Sequence, residues 1–228
     1  MAHQPRPGVR PEKRQRDRLI ALARAHPEWA LGFEDEVWWS RLAHPALHAW
    51  AEPDRPLRLV ARAVAKDDPD PKALACYGLL VRWWDAGPAG PRHEETWLRF
   101  VDGRPVSAVT TRFLAWCCAK LAAAGKTALL LVWDNAAWHL STEARHWIGA
   151  HNRQVRQRGA GVRIVPCPLP IKSPWLNPIE AQWVHGKRKV VEPDRLLSAL
   201  ELAQRVCAAF ACPYEPHLTA HDELDKAA

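Results

Sequence analysis

From Trp29 to Trp39 apolar and polar positions alternate. Leu31, Phe33, Val37 and Trp39 share one face with Asp35, while Gly32, Glu34, Glu36 and Trp38 share the other. Strict alternation marks a strand with one covered face, so the odd-numbered side chains are expected against the core and Glu34 and Glu36 in solvent. Residues 57–65 alternate again. Residues 75–84 form a third strand candidate, bounded by a DAGPAGP turn, and residues 96–101 a short strand before Asp102-Gly103. The period then changes. Over residues 105–124, Val109, Phe113, Trp116, Cys117 and Leu121 recur at intervals of three and four, with Gly125 as a stop. Residues 128–133 are a continuous apolar run, as expected of a strand covered on both faces. A helix capped by Ser141 fits residues 141–158, a short strand fits 161–166, and further helices begin near Asn177 and span 195–211. Consecutive strands followed by strand–helix alternation predict an α/β protein, a mixed sheet with helices on its faces. This domain spans residues 29–191. It follows a basic N-terminal arm (1–28) with a short helix over 17–25, and precedes a C-terminal helix and polar tail (192–228).

Three carboxylates stand out against that frame. Asp35 points with the apolar face of its strand, where an unpaired charge is costly; it needs a hydrogen-bonding partner, an arginine or a metal ion. Asp134 ends the buried run LLLVWD, and ligand sites in open α/β sheets gather at strand C-termini; an Asp-Asn turn is the alternative. His139, five residues on, is able to approach the same place. Glu180 follows Asn177-Pro178, so a helix cap, a first-position proline and an acid in the first turn account for it without chemistry. Trp183 and Lys187 continue its helix face, Trp183 as core packing. Lys187, Arg188 and Lys189 either meet phosphates or form a solvated face.

Composition narrows the class. A chain of 228 residues with 48% apolar and 25% charged residues is ordinary for a globular domain. No apolar run approaches membrane-spanning length, and the basic N-terminus has no apolar stretch behind it, so a membrane protein and a secretory signal are excluded and a cytoplasmic, nucleoid-associated location is expected. A net charge of +7 favours a polyanionic partner. The six cysteines form no CxxC pair, which argues against zinc and for small core residues. Thirteen tryptophans exceed what one core of this size needs, so some are expected at the surface.

In order, the strand carrying Asp35-Glu36, then VWDNAAWH, then LPIKSPWLNPIEAQWVHGK resemble the DDE transposases of the bacterial insertion-sequence branch of the mariner superfamily. The resemblance covers roughly residues 30–190 and implies a ribonuclease H-like fold. It implies that Asp35, Asp134 and Glu180 are the catalytic acids and hold two Mg²⁺ or Mn²⁺ ions. One ion would activate a water or a DNA 3′-hydroxyl and the other would stabilise the leaving oxygen. Cleavage at terminal inverted repeats and insertion at a TA dinucleotide would follow, with double-stranded DNA as partner. Asn135, His139, Asn177 and Pro178 match the motif as residues that shape the site. Lys172, Lys187, Arg188 and Lys189 are candidate DNA contacts. Two departures accompany the match. The 45 residues between Asp134 and Glu180 exceed the family's usual gap, the excess falling in HNRQVRQRGAGV, whose Arg153, Arg156 and Arg158 are further candidate DNA contacts. The family's helix-turn-helix domains are not matched either, so a catalytic half is expected, paired with an upstream helix-turn-helix protein from a split reading frame, or a truncated remnant. A homodimer on paired ends is a further expectation. The competing readings are a non-catalytic DNA-binding remnant and a nuclease acting on RNA or hybrid duplexes.

Overall fold

The computed structural model of the chain describes residues 9–42, 64–86, 92–171, 173–190 and 195–220, with side chains described from residue 13 onward. The elements are α1 (Val9–Ala25), β1 (Trp29–Ser40), β2 (Ala73–Trp84), β3 (Arg92–Val101), α2 (Ser107–Ala123), β4 (Ala128–Trp133), α3 (Thr142–Arg158), β5 (Arg163–Pro168), a 3-10 turn (Pro174–Leu176), α4 (Ile179–Val190) and α5 (Ala199–Ala209). The five strands form one sheet in the order β3-β2-β1-β4-β5. β1, β2 and β3 pair antiparallel, whereas β4 lies parallel to β1 and β5 parallel to β4. A mixed sheet of this order with helices on both faces is ribonuclease H-like.

The alternation in β1 sorts its side chains as the pattern predicts, but both faces are covered. Leu31, Phe33, Val37 and Trp39 pack with Leu19, Ile179, Trp183 and Val206 from α1, α4 and α5. The opposite face of the sheet, through Ala30, Tyr77, Leu79 and Leu131, packs against Phe113, Leu121 and Ile148 from α2 and α3. The expectation that Glu34 and Glu36 are solvated is therefore corrected. Glu34 is fully buried, and the Glu36 side chain is 8% exposed. β1 is the central strand of the sheet, and α2 and α3 cover the face on which they stand. A one-faced alternation gives no sign of that second layer.

Other boundaries moved for readable reasons. The N-terminal helix begins at Val9, not near Asp17; Leu19 and Ala23 are buried, and Arg16 reaches the Leu176 carbonyl at 3.1 Å, so the charged first half is an extension of an anchored helix. β3 runs ten residues because it pairs with β2 along its whole length. β5 starts two residues later than expected, since Gly161 has a φ of 110° and ends the loop rather than opening the strand. Ser141 caps α3 as predicted, accepting from Ala144 N–H at 3.0 Å. α4 begins at Ile179, so Pro178 precedes the helix. The strand expected over 57–65 lies almost entirely outside the described residues. All six cysteines are free, and all but Cys212 are buried. Of the twelve tryptophans described, Trp38 and Trp175 are strongly exposed.

Candidate active site

The parallel pairing of β1 and β4 sets the site. Phe33 is in register with Val132, and two residues further on stand Asp35, still within β1, and Asp134, the first residue past β4. The register therefore brings both acids to the same level at one end of the sheet. The chain after β5 closes this end. Leu169 N–H donates to the Trp133 carbonyl at 2.8 Å, and the Asn135 amide donates to the Leu169 carbonyl. The loop then turns through Pro174–Leu176 into α4. A cavity of about 230 Å³ opens between these segments, lined by Asp134, Asn135, Ile171, Asn177 and Glu180 among others.

Each of the two aspartates has one oxygen tied. Asp134 Oδ1 accepts from Ala136 N–H at 2.8 Å and from His139 Nδ1 at 2.9 Å. Asp35 Oδ2 accepts from the Trp183 indole at 2.8 Å. Among the described residues no donor reaches the second oxygen of either, nor the Glu180 carboxylate. Their electrostatics are linked. Burial, then the charge of Glu180, raises the Asp35 carboxyl from its ordinary 3.8 to about 7. Burial, then Asp134, raises Glu180, with Lys187 opposing. Asp134 is held below its ordinary value, chiefly by the hydrogen bond from His139.

Behind Asp134 lies a group that the alternation hid. His139 is fully buried and stacks on Trp133, with centroids 4.6 Å apart. Its Nε2 lies 3.0 Å from Glu36 Oε1 and 3.1 Å from Glu34 Oε2. Trp138 donates to the same Glu36 oxygen at 2.6 Å. Burial lowers the imidazole, but the facing charge of Glu34 and the contacts with Asp134 and Glu36 prevail and hold it at about 11. His139 is therefore a cation with both ring nitrogens donating. One N–H cannot serve two acids well, and among the described residues neither Glu34 oxygen has an aligned hydrogen bond; burial pushes Glu34 well above its ordinary range. Ligand atoms of Glu34, Glu36 and His139 all lie within 4.8 Å, close enough for a metal ion.

Asn177 does not cap α4 with its side chain. Its amide donates to the Glu34 carbonyl at 2.9 Å, pinning the helix entry to β1, and its buried Oδ1 has no partner among the described residues. Lys187, Arg188 and Lys189 are exposed on α4. Arg153, Arg156 and Arg158 are exposed on α3, but Arg156 joins Lys126 and Arg163 around a cavity at the N-terminal ends of β4 and β5, opposite the acids. Lys172 lies outside the described residues.

The model of a family described as DDE superfamily endonuclease matches residues 47–202. The chain belongs to the DDE superfamily endonucleases. The matched span contains Asp134 and Glu180 and begins after Asp35. Among solved structures, the Mos1 transposase paired-end complex with left transposon end is 15% identical, with a TM-score of 0.57, covering 93% of this chain and 57% of that one. The Mos1 mariner paired end complex with Mn is also 15% identical, with a TM-score of 0.55 and coverages of 92% and 56%. At such identities the likeness establishes the shared ribonuclease H-like fold. This DDE superfamily chain spans a little over half the length of those transposase chains. No curated protein sequence matches it, and among the described residues no helix is long and apolar enough to cross a membrane.

Proposed function

We propose that this chain is the catalytic domain of a DDE transposase of the mariner type, in the insertion-sequence branch, acting on double-stranded DNA. It cleaves at terminal inverted repeats and joins the freed 3′ end to target DNA at a TA dinucleotide. The observation that supports this most is that Asp134 and Glu180 line one cleft and Asp35 stands near enough for the charges of both to raise its carboxyl, each acid keeping at least one carboxylate oxygen that no donor among the described residues reaches. Clustered all-oxygen donors suit a hard divalent cation such as Mg²⁺ or Mn²⁺, and the raised Asp35 and Glu180 carboxyls are those of acids awaiting a countercharge. Asn177 Oδ1, buried and without a partner among the described residues, adds a neutral oxygen at the cleft. When bound, a pair of such ions supplies Lewis-acid activation of the attacking hydroxyl and stabilises the leaving oxygen in an in-line displacement at phosphorus.

The protein's own part is positioning. The His139 and Ala136 N–H groups turn one Asp134 oxygen inward and leave the other toward the cleft. Trp183 does the same for Asp35. Asn135 and Asn177 fix the two chain segments that bring Asp134 and Glu180 together. Lys187, about two helical turns beyond Glu180, offers its charge to a phosphate entering the cleft.

The test is nicking of DNA carrying the repeats that flank the gene, with Mg²⁺ or Mn²⁺, with and without the product of the upstream reading frame. Wild-type protein should cleave only with metal, and Asp134→Asn should lose at least about a thousand-fold in rate, roughly 4 kcal/mol. Absence of metal-dependent cleavage under every condition would leave the non-catalytic DNA-binding reading in its place.

A further inference from the structure

Opposite Asp35 on β2 stands Gly78. The Trp183 ring fills the space a side chain there would occupy: a Cβ on Gly78 would lie 2.2 Å from Trp183 Cη2 and 2.6 Å from Cζ2. From this seat the indole N–H reaches Asp35 Oδ2 at 2.8 Å. Two edge-on aromatic neighbours hold the ring in place, Trp39 with centroids 6.3 Å away and Phe210 at 5.5 Å. Sequence periodicity assigned Trp183 to core packing alone. Packing explains the ring's burial, but it does not explain a buried donor aimed across a glycine at the half-buried Asp35, whose carboxyl is raised by the cleft acid Glu180.

We propose that Gly78 and Trp183 act as one positioning device that fixes which oxygen of Asp35 is presented to a divalent cation. The inference rests on Asp35 being a cation ligand. A carboxylate with no donor swings about its own axis and presents either oxygen or both. With Oδ2 accepting the indole N–H, the carboxylate is held in one orientation, and Oδ1 is the oxygen left without a donor among the described residues. Mg²⁺ tolerates little departure from ideal octahedral geometry, and hydrogen-bond partners of metal ligands commonly change affinity by about 10–100-fold. Gly78 matters because any side chain there pushes the ring off its seat, and the donor goes with it.

The experiment measures Mn²⁺ binding to the full chain, by the electron paramagnetic resonance signal of the free ion, alongside thermal unfolding. The proteins are wild type, Trp183→Phe, Gly78→Ala, the double variant and Asp35→Asn. Trp183→Phe keeps an aromatic ring and loses the N–H; Gly78→Ala deletes no donor and moves the ring. Each single variant should bind Mn²⁺ about 10–100-fold more weakly. The double variant should be no weaker than the worse single, because two residues acting through one hydrogen bond are not additive. A purely structural role would lower the melting temperature of folded protein and leave its Mn²⁺ affinity unchanged, and that result in either single variant overturns the proposal. Fully additive losses overturn it too. If Asp35→Asn binds Mn²⁺ as wild type does, the reading of Asp35 as a ligand fails, and the device fails with it.

Discussion

His139 Nδ1 lies 2.9 Å from Asp134 Oδ1, so a buried imidazolium backs a cleft carboxylate. Its other nitrogen faces Glu36 and Glu34 on the far side of β1. Removing one member of a buried charge network leaves the others uncompensated, at a cost of about 3–5 kcal/mol. His139→Ala should destabilise the chain by that order in urea unfolding. Adding Glu34→Gln, which deletes the acid without an aligned hydrogen bond, should recover part of the loss. If His139→Ala unfolds at the wild-type midpoint, the imidazole carries no such charge.

The same group sets a pH dependence of metal-free stability. His139 is raised from 6.5 to about 11, so its contribution is fully present below about 6.5 and is lost as pH rises through 11. Asp35 is raised from 3.8 to about 7; its folded state disfavours the charged form, so stability falls as pH climbs from about 4 to 7 and stays lower above. Both act in one direction. Metal-free protein should melt at a higher temperature at pH 6 than at pH 9. His139→Gln should shrink that difference, because Asp35 is already mostly through its transition by pH 7. An equal drop in the variant would place the alkaline loss elsewhere.

Much of this was legible in the chain. The continuous run before Asp134 gave β4 to the residue, and Ser141 gave the start of α3, because full burial and capping are local signals. Asp35 followed from strand phase. Glu34 and Glu36 did not: their burial comes from α2, α3 and His139, which lie more than seventy residues away along the chain. The single available sign was His139 itself, a histidine five residues past a strand-ending acid. Trp183 was seen as packing because periodicity locates a face and says nothing of where an indole N–H points. Arg153, Arg156 and Arg158 were read as candidate DNA contacts from their charge and the long gap before Glu180, and the course of α3 from Thr142 to Arg158 carries its last turn to the end of the sheet away from the acids.

Metal loading should be steeply pH-dependent near neutrality. With Asp35 at about 7 before metal binds, a cation must displace a proton from it at lower pH. Apparent Mn²⁺ affinity is expected to rise little above pH 8 and to fall toward ten-fold per unit below pH 6, measured by calorimetry in buffers of different ionisation enthalpy, with proton release growing as pH drops. Flat affinity from pH 5.5 to 8 would mean that Asp35 does not compete with the ion.

The two basic groups should separate by their effect on DNA binding. Lys187 is close enough to oppose the shift of Glu180, whereas Arg156 lines the cavity at the far end of β4 and β5. A phosphate contact releases counterions, and losing one reduces the slope of log affinity against log salt by about 1. Lys187→Gln should therefore reduce the slope by about 1 for DNA ends that enter the cleft. Arg156→Gln together with Arg158→Gln should leave that slope unchanged if a single duplex end occupies the cleft. If the α3 pair lowers the slope as much as Lys187 does, the bound DNA must run past the cleft and around the edge formed by β5, and the basic turn between α3 and β5 becomes part of the same binding surface.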